Sequence, residues 1–169
     1  MFEVLSALTM ILSDFFNPTK CEIGRISKII LERANQTIRS KLKLIQWTDP
    51  QQVIAWFTDL DQKSNLEFIK FDVKELYPSI TEELLNKSIK FAQKYHEITK
   101  EEVSIIKNAS QSVLHHDGQV WIKKKDHGSP TFDITMGGYH GAEACELVGL
   151  YMLSEISKFV SKQNIETMT

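Results

Sequence analysis

The amino-acid sequence predicts an α+β domain, with helices packed on a small, mostly antiparallel sheet. Three observations carry that expectation. Several segments repeat apolar residues at helical spacing behind Thr/Ser-x-x-Glu capping signals. The stretch 66–73 is nearly continuous in apolar and aromatic residues, which suits a buried strand better than an amphipathic one. Asp117-Gly118 stands between two short apolar segments, where it forms a two-residue hairpin turn. At 169 residues, 42% hydrophobic and 25% charged, the chain has globular composition and the size of one ordinary domain.

The elements follow in order. Thr19-x-x-Glu22 is a capping box that opens a long helix, with Ile23, Ile26, Ile30, Ala34, Ile38 and Leu42 as its apolar stripe. Thr48-Asp-Pro-Gln51 starts a second helix, with Val53, Trp56, Phe57 and Leu60 expected to face inward. The strand over 66–73 comes next. Ser79-x-x-Glu82 opens a helix running to about Tyr95, and Thr99-x-x-Glu102 opens another running to about Leu114. Residues 113–124 read as the hairpin, and 131–136 as one more strand. Gly137, Gly138 and Gly141 make a tight break before a last helix that extends to about Phe159.

A net charge of −2 argues against a protein whose whole surface grips phosphate. The distribution is uneven, because the stretch from Lys20 to Lys43 alone carries a balance of +5. That basic segment suits an anionic partner, and equally a solvated helix face. No run approaches the ~20 apolar residues of a membrane span, and Glu3 stands where a signal peptide has its basic region. The expected setting is intracellular, cytoplasmic or nuclear, with no membrane partner. Cys21 and Cys145 lack CxxC spacing and read as free thiols. His115, His116, His127, His140 and Cys145 show none of the spacings of zinc motifs. Trp47, Trp56 and Trp121 offer stacking surfaces, but the helical pattern assigns two of them to apolar faces.

Two motifs carry chemistry. Asp72 stands near the carboxyl end of the expected central strand and is followed by Val73-Lys-Glu-Leu-Tyr77-Pro-Ser. This resembles the first palm motif of reverse transcriptases, an Asp with Phe or Tyr five residues later. The second is Phe132-Asp-Ile-Thr-Met136-Gly137-Gly138-Tyr-His-Gly141-Ala-Glu143-Ala-Cys-Glu146-Leu-Val-Gly149. It is similar to the glycine-bearing strand, turn and helix that follow the first motif in retrotransposon-type members of that family. Asn17-Pro-Thr-Lys-Cys-Glu-Ile-Gly24 looks like the family's fingers-to-palm segment. The resemblance spans about residues 15–155.

That resemblance implies a single reverse-transcriptase-like domain, with about 1–62 derived from the fingers and 63–160 from the palm through its second motif. It implies an RNA-directed DNA polymerase that uses Mg2+, deoxynucleotides, an RNA template and a DNA primer. Asp72 would be the catalytic metal ligand, with the Val73 carbonyl beside it. Tyr77 would screen the sugar's 2′ position, with Gly137 and Gly138 as the nucleotide-side turn. Lys20, Arg25 and Lys28 would touch nucleic acid. The chemistry explains the residue types: in-line phosphoryl displacement uses two hard cations about 4 Å apart, and those cations prefer carboxylate oxygen. His140 replaces the acidic residue usual at its position, and the region of Asp14 lacks the usual basic one. The family's aspartate pair does not occur between Phe159 and Thr169, so the expectation is a fragment that needs a downstream part for catalysis. The alternatives are a non-catalytic nucleic-acid-binding or decayed remnant, and a helical protein-interaction module.

Overall fold

The computed structural model of the chain describes residues 21–42, 49–61, 73, 75–122, 124 and 128–159. Six helices and one hairpin occupy them: α1 (Glu22–Leu42), α2 (Pro50–Asp59), α3 (Leu76–Ser79), α4 (Glu82–Ala92), α5 (Lys100–Ala109), β1 (Leu114–His116), β2 (Gln119–Trp121) and α6 (Gly141–Ile156). The strand expected over 66–73 lies outside the described residues except for Val73, as do Thr19, Lys20, Thr48 and Asp72.

Capping chemistry sets several helix starts. Thr99 accepts from the Glu102 backbone N–H while Glu102 accepts from that of Thr99, the reciprocal pair expected at α5. At α2 the cap is Asp49, whose carboxylate takes the Gln51 N–H, and Pro50 fills the first turn. At α4 the cap is Thr81 rather than Ser79. Ser79 instead closes the single turn α3, donating its hydroxyl to the Leu76 carbonyl.

The expectation of helices on a sheet is corrected here. Among the described residues the β structure is a single two-stranded hairpin, paired Leu114 with Trp121 and His116 with Gln119. Asp117 and Gly118, both at positive φ, make its turn. Each strand has three residues, and all of β2 is exposed, so no helix covers that strand. The helices pack on one another instead: α1 against α5 and α6, and α4 against α6. The segment 131–136 is not a strand either. It makes one isolated bridge between Gln111 and Phe132, flanked by Ser112 N–H to the Thr131 carbonyl and Asp133 N–H to the Ser110 carbonyl. Among the described residues its extended partner is short, because helix α5 occupies the chain to Ala109 and the hairpin begins at Leu114.

Helix α6 is the centre of the core. Gly141, Ala144, Cys145, Leu147, Val148 and Leu150 are buried on it, against α1 on one side and α4 on the other. Helix α1 buries Gly24, Ser27, Ile30, Leu31, Ala34, Asn35 and Ile38, a seam rotated from the expected stripe, so that Ile26 is 40% exposed. Small residues at Gly24 and Ser27 allow close approach near the start of α6, where a Cβ at Gly24 would lie 3.6 Å from that of Tyr139. Helix α2 buries none of its residues, and the expected inward face of Val53 and Phe57 is exposed. Its amphipathic spacing is real, but the described residues bring no apolar surface to bury it. Among the described residues no helix is long and apolar enough to cross a membrane.

Candidate functional site

The glycine-bearing motif folds as a tight turn leading into α6. Gly138 N–H donates to the Thr135 carbonyl at 3.0 Å and Gly141 N–H to the Gly138 carbonyl at 3.2 Å. Gly137 has φ +83°, which L side chains adopt only with strain. A Cβ at Gly141 would stand 2.8 Å from the Thr135 carbonyl oxygen and 3.4 Å from Cε1 of Tyr77. The turn thus requires glycine for two separate reasons: a backbone conformation at 137 and a close approach at 141.

Tyr77 meets this turn. Its ring lies against Gly141 at the first turn of α6, near the Cys145 thiol one helical turn further on. Burial, and then the neighbouring thiol, raises the Tyr77 phenol above its ordinary value. Burial likewise raises Cys145, which stays a neutral thiol at pH 7. Cys145 is therefore a buried thiol, and Tyr77 packs beside it. Sequence reasoning missed that meeting. The available signal was spacing, since Gly141 and Cys145 at i, i+4 share one helix face.

Asp72 lies outside the described residues, so its geometry with Tyr77 and Gly137 is not part of this description. Val73 is exposed. Glu75, between these positions and Tyr77, has φ 53° in the left-handed region and marks a sharp reversal before α3. The other carboxylates of the two motifs are engaged elsewhere. Asp133 accepts the Thr135 hydroxyl at 3.3 Å. Glu143 and Glu146 are inter-helix partners: Lys28 Nζ lies 3.4 Å from Glu143 and Arg39 Nε 2.6 Å from Glu146. Among the described residues no three His, Cys, Asp or Glu groups stand together as a metal site.

The basic segment is also resolved into contacts. Arg25 pairs with Glu22 on its own helix, which raises its guanidinium further. Lys28 lies within ion-pair distance of Glu32 as well as Glu143. Arg33 reaches Glu102 on α5 at 2.6 Å, and Lys41 donates to the Tyr95 carbonyl at 2.6 Å. The excess positive charge of α1 thus docks the helix onto α5 and α6, and Arg25 and Lys28 are less free for phosphate than sequence reasoning expected.

His140 caps α6 from a buried position. Its Nε2 lies 3.3 Å from Oγ of Ser110, whose own hydrogen goes to the Ile106 carbonyl at 2.9 Å. The ring must then carry its proton on Nε2, and burial holds its pKa below the ordinary value. A carboxylate at this position would lose that donor and meet the Ser110 oxygen lone pairs. Comparison of the chain with models of protein families, with curated proteins and with solved structures found no match.

Proposed function

We propose that the chain is the nucleotide-side portion of a reverse transcriptase, an RNA-directed DNA polymerase in its intact form. In this reading Tyr77 is a wall beside the sugar of a deoxynucleotide, and Gly137 and Gly138 pass beside the same nucleotide. The observation that supports it is the meeting of two motifs far apart in sequence: the Tyr77 ring sits against Gly141 at the head of the glycine turn. A gate of this kind needs a ring that does not rotate away. The close approach at Gly141 restricts the Tyr77 ring on the side of α6. A fixed flat ring rejects a 2′-hydroxyl by filling its space.

The test is nucleotide incorporation on an RNA template with a DNA primer, in a magnesium buffer, by this chain joined to a downstream palm segment that carries the aspartate pair. The expected result is incorporation of deoxynucleotides, lost by at least about a hundredfold in Asp72→Asn. Tyr77→Ala is expected to admit ribonucleotides about tenfold more readily. No incorporation by the joined protein, or unchanged sugar selectivity in Tyr77→Ala, overturns the reading. One observation favours a second reading, a helical protein-interaction module: Val53, Ile54 and Phe57 are exposed on α2, which buries none of its residues. The non-catalytic nucleic-acid-binding reading draws less support, because the basic residues of α1 are engaged within the fold.

A further inference from the structure

Between α4 and α5 lies an open cleft of about 410 Å³, lined by Asn86, Ile89, Lys90, Gln93, Lys100, Val103 and Lys107. It exists because the two helices pack on different neighbours, α4 on α6 and α5 on α1. Helical spacing places Asn86, Lys90 and Gln93 along one wall, and Lys100, Val103 and Lys107 along the other. Ile89 and Val103 give the cleft an apolar component.

Three features make its chemistry specific. Its lining includes three lysines and no carboxylate. Lys28, Lys87 and Lys158 are paired with carboxylates, whereas Lys90, Lys100 and Lys107 make no ion pair with the described residues and so keep their charge available at the cleft. The Asn86 side chain is likewise uncommitted among the described residues, and it adds a neutral donor to the same space. Lys100 also stands in the first turn of α5, where the helix end adds partial positive charge.

From this we infer that the α4–α5 cleft binds the linear polyphosphate group of a small ligand, a site separate from the Tyr77 turn. Lysines stand on both walls of one cleft, which matches a compact group with several adjacent anionic oxygens. A polymer backbone would call for cations in a row along an open ridge, and the chain's net charge of −2 does not favour a long polyanion. Lys100 and Lys107 are seven residues apart, about 10 Å along the helix, so linked phosphates can engage both while Lys90 closes from the other side. The cleft volume lies within the usual range of small-ligand sites, roughly 300–1,000 Å³.

The experiment is calorimetric titration of the full chain with inorganic tripolyphosphate, with a nucleoside triphosphate, and with a single-stranded oligonucleotide, at low and moderate salt. Saturable tripolyphosphate binding is expected, weakened about threefold or more by each of Lys90→Gln, Lys100→Gln and Lys107→Gln. The triple variant is expected to lose at least about thirtyfold, while Lys87→Gln, outside the cleft, leaves binding unchanged. Tighter binding of the nucleoside triphosphate assigns the ligand as a nucleotide, and equal binding assigns the free polyphosphate. Amine acylation with mass-spectrometric readout gives an independent measure, in which ligand protects Lys90, Lys100 and Lys107 but not Lys87. No saturable binding of either small ligand, binding indifferent to the three substitutions, or binding of the oligonucleotide alone overturns the inference. These substitutions leave Tyr77 and the glycine turn untouched, so the outcome does not depend on the polymerase reading.

Discussion

His140 shows how one buried side chain ties several segments together. Its Nε2 reaches Ser110 at the end of α5, and its Nδ1 faces the Gly24 position of α1, where an added Cβ would lie 3.8 Å away. A second proton on Nδ1 would introduce a positive charge into a buried site at the head of α6, the end of a helix that disfavours cations. Burial accordingly holds the folded imidazole below its ordinary value of 6.5. Above that value both states are neutral and pH has little effect through this group. As pH falls below it the unfolded chain takes up a proton that the folded chain resists, so stability drops until the folded value is passed. The thermal midpoint is therefore expected to fall between about pH 7 and pH 5, and to fall less in His140→Gln. Equal slopes in the two proteins would rule out this role. In the sequence, His140 stands out only as a departure from the motif it sits in. Its function depends on Gly24 and Ser110, which are far away in the chain, and no local pattern marks that meeting.

At the scale of elements, α1 is where sequence and structure part most instructively. Its existence was legible from the run of helical spacing, and its positive charge from simple counting. Periodicity marks a face, however, and does not say what the face meets. The structure turns the buried seam toward Ser27, Leu31 and Asn35, and Asn35 donates its amide to the Glu143 carbonyl at 2.9 Å. The same rotation brings Lys28 to Glu143, whose side chain is only 12% exposed and whose second carboxylate oxygen is buried without a hydrogen-bond partner. Removing the lysine would leave a mostly buried carboxylate with no cation beside it, whereas Arg25 and Glu22 are both well exposed. Lys28→Ala is expected to cost about 1–2 kcal/mol in urea denaturation, whereas Arg25→Ala leaves the midpoint essentially unchanged. In a Glu143→Gln background the cost of Lys28→Ala should shrink, because no charge is left stranded. Similar small losses for both single variants would mean that the α1–α6 ion pair does not stabilise the docking.

For the molecule as a whole, the difference between a helical core and the expected sheet-based one has a measurable consequence. Capping signals and the Asp-Gly turn were readable because they are local chemistry. The architecture was not, because strand composition such as that of 131–136 does not name the segment it would pair with. The fold that results concentrates burial unevenly. Helices α1, α4 and α6 supply most of the core, with Leu31, Ile38, Leu85 and Leu147 essentially inaccessible. By contrast α2 buries nothing and the three residues of β2 are all exposed. Amide protection tracks the buried contacts that must break for a segment to open. Hydrogen exchange is therefore expected to be slowest in α1 and α6, intermediate in α4 and α5, and fast in α2 and the hairpin. A hairpin that belonged to a sheet covered by helices would instead exchange with the core, since covered strands open only with it. Slow exchange at Val120 and Trp121, level with α6, would thus contradict the helix-on-helix architecture. Fast exchange there, together with slow exchange through Gly141 to Leu150, would show that the glycine turn and Tyr77 rest on the most stable part of the molecule. That is the mechanical condition a fixed sugar-side wall needs.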